Sequence, residues 1–411
     1  MSGAEYDILI VGGGLAGSSL AIALANHGSK ILIVEQQDHF RDRIRGEVLM
    51  PWGSLEAKRL GIYDLLLNTC AIETTYYSRI RNAAPPAIRN LLATTPAGTC
   101  CMTFPHPEMQ EALLAHAESR KIEVRRGEAV ATITPGRPPR VYVGGDTKGL
   151  TAQLVVLADG RDSRLRSALP FEVQRDPEQL IIAGMILEGD VNCSEFLIEN
   201  APPYANTINL IYDPKGGRMI IAMRIAPGRN RIYLIHHKDV IPKRLSGRHS
   251  VDEMVRQLQA AGAPGHWFEH GQQAGPFASF DGSHRWVDQP YREGVVLIGD
   301  VAAATDPAWG RGLSRTLRDV RLLRDRLIET DDWHAGAIAY AADHDDFYRR
   351  MRRLEAMETT LLFERGDAAE RRREHAFALF AEDPTRIPDA TGLGPEAPSD
   401  DLARARYFGE V

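Results

Sequence analysis

Three carboxylates in the sequence stand at the ends of apolar runs. Glu35 ends the run KILIVE, Asp159 ends LVVLAD and Asp300 ends GVVLIGD. Asp159 and Asp300 each adjoin a glycine, so the backbone there can come close to a bound molecule. A carboxylate at the end of a strand accepts hydrogen bonds from the hydroxyl groups of a ligand, which requires neither a nucleophile nor a metal. The pattern therefore indicates a ligand-binding edge.

A glycine turn near the N-terminus supplies the second part of this chemistry. Gly12, Gly14 and Gly17 have the spacing Gly-x-Gly-x-x-Gly. The first glycine permits a tight bend, the second lets the backbone approach a pyrophosphate, and the third lets a helix press on a strand. Leu15 and Ala16 stand at the N-terminal end of that helix, where free N–H groups can bind phosphates. The turn predicts a dinucleotide site and does not distinguish NAD from FAD.

The elements that position these residues form a β-α-β unit. Apolar residues 6–13 predict a strand, the spacing of alanine and leucine over 16–28 predicts a tightly packed helix, and KILIVE predicts a second strand. Glu35 ends that second strand with Gln36 beside it, where its carboxylate is expected to accept hydrogen bonds from the adenosine ribose.

Two later motifs favour a flavin over NAD. The strand ending at Asp159 is followed by Gly160, and the strand ending in Gly299-Asp300 comes late in the chain. A single NAD site has no use for this second pair of strand-end acids. The order of the three motifs resembles the single-component flavoprotein aromatic hydroxylases, the p-hydroxybenzoate hydroxylase family. The segment RIRGEVL, residues 43–49, is similar to RIRAGVL of that family, and the resemblance covers about residues 5–330.

The resemblance implies FAD as the cofactor and assigns roles around it. It implies that Asp300, next to Gly299, binds a ribityl hydroxyl and that Asp159 lies near the pyrophosphate. It also implies that Arg45 lies on the pyrophosphate or ribityl side.

A loop after Asp300 is expected to follow the flavin ring. Asp306-Pro307 would carry the chain along the ring, and backbone N–H groups of Gly310, Gly312 and Leu313 would face its pyrimidine end. The apolar spacing from Leu313 onward predicts a long helix, whose N-terminus would stabilise an anionic reduced flavin.

The fold expected from these motifs is α/β. A Rossmann-like FAD-binding domain of the GR2 type carries an inserted antiparallel β-sheet substrate domain and a helical C-terminal region. The predicted boundaries are FAD-binding 1–75, substrate segment 76–105, FAD-binding 106–172, substrate-binding sheet 173–285, FAD-binding 286–330, and helices with an extended tail 331–411.

Candidate substrate contacts lie in a predicted antiparallel meander of residues 207–213, 218–226 and 231–237. Arg224 is a candidate to bind a phenolate or carboxylate, and His236 to manage a phenol proton, since an imidazole titrates near neutral pH. Trp309 and Pro307 are candidates for the wall of the catalytic cavity. Alternate residues of a strand share a face, and either face of the meander is a candidate for the ligand side.

Composition excludes other classes of function. The 411 residues carry a formal net charge of −6, which gives no basic field for nucleic acid. The four cysteines lack paired metal-ligand spacing, and no run of about 20 apolar residues predicts a membrane span. We expect a cytoplasmic monomer or homodimer without a metal.

The function that the resemblance implies is FAD-dependent monooxygenation. NADH or NADPH reduces the flavin, O2 adds at C4a, and the hydroperoxide delivers one oxygen atom to an aromatic, phenol-like or polycyclic small molecule. Alternatives on the same fold are a flavin-dependent reductase of double bonds, a two-component oxygenase, a Baeyer–Villiger enzyme and a non-catalytic escort protein. Halogenases share the DP…G-x-G form of the late loop, but the W-x-W-x-I-P signature typical of them is absent from the sequence.

Overall fold

The computed structural model describes residues 4–44, 46–81, 87–189, 193 and 206–411. Its strands are β1 (Tyr6–Val11), β2 (Ile31–Glu35), β3 (Val48–Leu49), β4 (Ile72–Thr74), β5 (Tyr76–Arg81), β6 (Ala87–Asn90), β7 (Cys101–Thr103), β8 (Glu123–Arg126), β9 (Val130–Thr134), β10 (Arg140–Val143), β11 (Leu150–Leu157), β12 (Val173–Arg175), β13 (Leu180–Gly189), β14 (Thr207–Asp213), β15 (Arg218–Ala226), β16 (Arg229–His237), β17 (Gly271–Asp281), β18 (Arg285–Val287), β19 (Tyr291–Arg292), β20 (Val295–Leu297) and β21 (Ala303–Ala304). Its helices are α1 (Leu15–Leu24), α2 (Pro51–Arg59), α3 (Tyr63–Thr69), α4 (Leu91–Thr94), α5 (His106–Ser119), α6 (Arg164–Ser167), α7 (Val251–Ala260), α8 (Gly312–Ile328), α9 (Trp333–Phe363), α10 (Asp367–Glu382) and α11 (Asp401–Phe408).

A mostly parallel sheet forms the first layer of the molecule. Its strand order is β19-β20-β11-β1-β2-β8, with β9 and β10 joined to β11 as an antiparallel extension. Strands β20, β11, β1, β2 and β8 run parallel, so their carboxyl ends share one edge. Both faces of β1 are covered, which is why that strand is a continuous apolar run.

A second sheet of seven strands follows the order β17-β13-β16-β15-β14-β5-β6. All its pairings are antiparallel except β14 with β5. One face joins an apolar cluster that includes Trp309, and the other is covered by a cluster around Trp267 and helix α7. Two layers and an inserted sheet confirm the expected α/β class.

Helices complete the C-terminal part of the chain. Helix α8 packs against α1 and α2, and α9 packs on α8. The tail before α11 forms a wrap with buried residues, in which Gly394 packs against the ring of Trp52. In the described part of the chain, no helix is long and apolar enough to cross a membrane.

Candidate functional site

One cavity of about 850 Å³ joins the two sheets. The glycine turn and the strand-end acids line one end of it. The apolar face of the seven-stranded sheet lines the other end, and the loop before α8 lies where the two ends meet. The predicted site residues on its wall are Gly12, Gly14, Leu15, Ala16, Glu35, Gln36, Asp159, Asp300, Pro307, Trp309, Gly310, Gly312 and Leu313.

The glycine turn is shaped by backbone contacts that exclude side chains. Gly12 has φ +107°, and a Cβ there would lie 2.6 Å from the carbonyl oxygen of Ala158. A Cβ on Gly17 would lie 1.9 Å from the carbonyl oxygen of Gly12, so Gly17 brings α1 onto the turn rather than lining the cavity. No side chain caps the N-terminus of α1, which leaves its first N–H groups free to bind an anion.

Glu35 lies at the end of β2, on the cavity wall. Its two carboxylate oxygens accept hydrogen bonds from the backbone N–H groups of Gly13 and Gln37, both at 2.8 Å. Sequence reasoning predicted ribose as the partner of this carboxylate. The structure shows that Glu35 also ties the glycine turn to the end of β2, so a ribose would share oxygens that are already fixed in place.

Asp159 has one oxygen that a ligand could satisfy. Its Oδ2 accepts a hydrogen bond from Ser163 at 2.7 Å, while no other described residue donates to its buried Oδ1. Burial raises the pKa of Asp159 to about 6, against the lowering effect of the Ser163 hydrogen bond. An unpaired buried oxygen is costly, and a cofactor hydroxyl in the cavity would remove that cost. The residues present therefore fit FAD.

Asp300 is held by a buried network that sequence reasoning missed. Its Oδ1 accepts from Arg315 at 3.0 Å, and Arg315 also donates to Asp319 at 2.9 Å. Asp319 in turn accepts from the Gly299 N–H at 2.9 Å and contacts His344 at 2.8 Å. A buried guanidinium needs paired carboxylates, and this one fixes the turn on which Asp300 stands. A charged pair at positions i and i+4, within the buried face of α8, was the signal in the sequence.

The loop before α8 follows the middle of the cavity. Asp306 caps a short turn by accepting from the Ala308 N–H at 2.9 Å, and Pro307 and Trp309 face the cavity. Gly310 has φ +65° and lies close to the Met50 side chain, so a side chain there is excluded. Helix α8 has no side-chain N-cap, so its N-terminus presents free N–H groups and the positive end of its dipole to the cavity.

The seven-stranded sheet contributes an apolar wall. The odd-numbered apolar residues of β15 and β16 belong to the cluster on the cavity side, and the even-numbered apolar ones inside these strands belong to the cluster on the far side. The residues of this sheet on the cavity wall are Tyr77, Ile182, Ile208, Ile221, Met223, Tyr233, Ile235 and Phe280.

This alternation corrects two sequence predictions. Arg224 shares the parity of the far face and is not on the cavity wall, and its Nε donates to the Ala226 carbonyl at 3.4 Å. His236 also lies on the far face, where burial lowers its pKa and its Nδ1 contacts the His237 carbonyl at 2.9 Å. Neither side chain is placed to bind a ligand in this cavity.

A buried polar group on the cavity side takes their place. Arg231, on β16, lies 3.0 Å from Glu47 and 2.8 Å from Asp42, and Tyr233 donates a short hydrogen bond to Glu47. Glu47 and Tyr233 both line the cavity. Sequence reasoning missed this group because its members are far apart in the chain.

Two other predicted residues, Arg45 and Gly299, have distinct places. Arg45 lies outside the described residues. Gly299 lies under the cavity floor with φ +69°, close to Ala16. Trp52 packs beneath the C-terminal wrap and is not on the cavity wall.

The glycine turn, the strand-end acids and the topology of the parallel sheet define a dinucleotide-binding protein of the Rossmann type. More particularly, the chain belongs to the family of the FAD binding domain, whose model matches residues 5–345. The family and fold named from the sequence motifs are confirmed by this match.

Relatives with known names include monooxygenases. Squalene monooxygenase of Mus musculus is 25% identical over 369 residues, covering 85% of this chain and 59% of that protein. The 6-methylpretetramide 4-monooxygenase of Streptomyces rimosus is 24% identical over 400 residues, covering 93% and 90%. The chain spans about three fifths of the length of the squalene monooxygenases it matches.

Solved structures share the fold at low sequence identity. A flavin-dependent brominase superposes with a TM-score of 0.76 at 16% identity, covering 98% of both chains. p-Nitrophenol 4-monooxygenase from Pseudomonas putida superposes with a TM-score of 0.72 at 18% identity, covering 92% of this chain and 94% of that one. The same fold therefore serves oxygenation and halogenation, and function depends on the site.

Proposed function

We propose that this protein is an FAD-dependent monooxygenase that uses NADH or NADPH and O2 to insert one oxygen atom into a largely apolar small molecule. The observation that carries the proposal is one continuous cavity, in which a dinucleotide-binding end and an apolar end meet at the loop before α8. The names of the relatives support the same reaction class.

The cofactor end supplies binding groups rather than reactive ones. The glycine turn and the N-terminus of α1 would hold the pyrophosphate, Asp300 would bind a ribityl hydroxyl, and Asp159 would accept a hydrogen bond through its unpaired oxygen. The N-terminus of α8 would favour negative charge on the ring. When bound, FAD supplies the two-electron chemistry with O2, and the protein contributes orientation and exclusion of water.

The apolar end selects the substrate. An aromatic or polycyclic molecule fits a wall of isoleucine, methionine, phenylalanine and tyrosine side chains. With Arg224 and His236 on the far face, neither of the expected polar groups is available to a substrate carboxylate or phenolate. A second candidate substrate is an isoprenoid polyene, favoured by the apolar wall and by the squalene monooxygenase relatives.

The test compares two neighbouring positions on β15. Met223 faces the cavity and Arg224 faces away from it. Met223→Trp would fill the apolar end, so we expect this variant to keep FAD and lose substrate-stimulated oxidation of NADH or NADPH. Arg224→Ala is the matched control and should keep both. The measurement is NAD(P)H consumption with O2 uptake and product mass, across a panel of phenols, fused aromatics and polyenes.

Each rival predicts a different result. Saturation of a double bond without O2 uptake would indicate a reductase. Activity that needs reduced flavin supplied by a second protein would indicate a two-component enzyme, and insertion of oxygen beside a ketone would indicate Baeyer–Villiger chemistry. A protein that purifies without flavin and does not take it up would refute the proposal in favour of an escort role.

A further inference from the structure

The cavity wall carries one buried polar group at the seven-stranded sheet whose hydrogen bonds are directional. Tyr233 donates its hydroxyl proton to Glu47. Glu47 is held in an ion pair by Arg231 at 3.0 Å, and the side chains of both are 1% exposed. The same Arg231 nitrogen, Nη2, also donates to the Asp42 carboxylate at 2.8 Å. The positions of the carboxylate and the phenol are therefore fixed before any ligand binds.

The proton count of this group limits what it can offer a ligand. A tyrosine hydroxyl has one proton, and Tyr233 gives it to Glu47, so only lone pairs of its oxygen remain. Burial, together with the charge on Glu47, raises the pKa of Tyr233 well above its ordinary value, so it stays a phenol. An ion-paired carboxylate offers only acceptors as well. On the cavity wall, Tyr233 and Glu47 thus offer only acceptors, and the other side chains of this sheet that line the cavity are apolar except for Tyr77.

We infer that Tyr233 and Glu47 determine substrate specificity by accepting a hydrogen bond from a neutral hydroxyl or amino group of the substrate and by rejecting carboxylates. This inference rests on the proposed function, which places an organic substrate in the cavity. A donor group would pair with the tyrosine oxygen at little desolvation cost. A carboxylate would bring a second acceptor and a like charge to a site of low dielectric, where unpaired polar groups are costly.

The first experiment measures binding rather than turnover, in the FAD-loaded protein near neutral pH. Three probes share one ring system and differ in one group: 2-naphthol presents a donor, 2-naphthoate presents an anion, and naphthalene presents neither. Calorimetry or quenching of tryptophan fluorescence gives the dissociation constants. We expect 2-naphthol to bind about tenfold more tightly than naphthalene, the usual effect of one well-placed hydrogen bond, and 2-naphthoate to bind more weakly than both.

Two variants change the direction of the hydrogen bonds. Tyr233→Phe removes the acceptor oxygen, so the dissociation constants of this variant for 2-naphthol and naphthalene should differ by no more than about threefold. Glu47→Gln should do more. In this variant Arg231 pairs with the oxygen of the new amide, so the amide N–H group points toward Tyr233. The Tyr233 oxygen then accepts a hydrogen bond from the amide, and the tyrosine proton becomes available to a ligand in the cavity. The variant should then gain affinity for 2-naphthoate, so that the order of the two polar probes reverses.

Tyr77→Phe is the matched control, because Tyr77 also lines the cavity but no carboxylate of the described residues accepts a hydrogen bond from its hydroxyl. Its ratio of naphthol to naphthalene affinity should equal that of the wild type. Equal binding of the three probes to the wild type would overturn the inference. So would loss of FAD from Glu47→Gln with the order of probes unchanged, since the pair would then serve the cofactor. Failure of the proposed monooxygenase activity is scored separately, by O2 uptake, and leaves these binding constants interpretable.

Discussion

Asp306 should make the stability of the protein depend on pH in a way that one substitution can isolate. The carboxyl is buried beside a second cavity, and it caps the turn that carries Pro307 and Trp309. Burial raises its pKa to about 7, against the opposing charge of His284. Compared with an ordinary value of 3.8, this costs the folded state about 4 kcal/mol once the carboxyl is ionised.

The sign follows from where the proton binds more tightly. The folded state holds the Asp306 proton to higher pH than the unfolded state, so this residue lowers stability as pH rises from about 4 to about 7 and has its full effect above that range. Asp306→Asn cannot ionise, and asparagine still accepts the hydrogen bond of the turn. The free energy of unfolding of the variant, relative to that of the wild type, should therefore increase by about 3 kcal/mol from about pH 5 to about pH 8.

The assay is urea unfolding of both proteins at the two pH values, followed by tryptophan fluorescence and circular dichroism. Titrating groups that do not interact with Asp306 cancel in the difference, whereas His284, whose pKa the charge of Asp306 helps to raise, contributes to it. Asp281→Asn is the control: burial alone would raise the pKa of Asp281, but hydrogen bonds from Ser283 and the charge of Arg175 lower it, so this carboxyl is ionised at both pH values. The difference in stability between that variant and the wild type should therefore stay nearly constant from about pH 5 to about pH 8. A difference between Asp306→Asn and the wild type that stays constant with pH would refute the reasoning.

Two further predictions concern the cofactor end. Gly17→Ala places a Cβ 1.9 Å from a carbonyl oxygen of the glycine turn, so α1 must move and the protein should purify without flavin, whereas Gly145→Ala, with open space around it, should stay yellow. Asp319→Asn leaves the buried Arg315 with one carboxylate fewer, so FAD affinity measured by ultrafiltration should fall at least tenfold, given the cost of about 3 kcal/mol or more for breaking a buried pair. Asp343 is a partly exposed carboxylate that pairs with Arg326, so Asp343→Asn is the control and should leave FAD affinity unchanged.

The sequence predicted strands and helices well where the apolar residues follow one regular spacing. The two strands Thr207–Asp213 and Arg218–Ala226 have the bounds that the apolar runs and turn residues indicated. The helix Val251–Ala260 follows directly on a short 3-10 turn that contains Ser250, and the Ser250 side chain makes no capping hydrogen bond to it. A cap depends on the direction from which the chain arrives, which residue spacing alone does not specify.

Which face of a strand lines the cavity is harder to predict. The two-residue period shows which residues share a face, but it does not show which of the two faces is the ligand side. On β15 and β16 the choice is made by residues about 180 positions earlier, where Glu47 meets Arg231 and Tyr233. A buried arginine must take the face that offers carboxylates. Arg231 has them on the cavity side, and this fixes the even-numbered Arg224 and His236 on the other.

The same requirement explains why acids near the centre of the cavity do not present bare charge. Asp300 is paired with Arg315, and Glu47 is paired with Arg231. Each ion pair has a desolvation free energy that opposes folding. Such a pair is expected where a fixed position of the carboxylate oxygen matters more for function than its charge. In the proposed site Asp300 would bind a ribityl hydroxyl, while Glu47 accepts the proton of Tyr233. On this proposal both acids act on neutral hydroxyl groups, so the substrate end should favour an uncharged molecule.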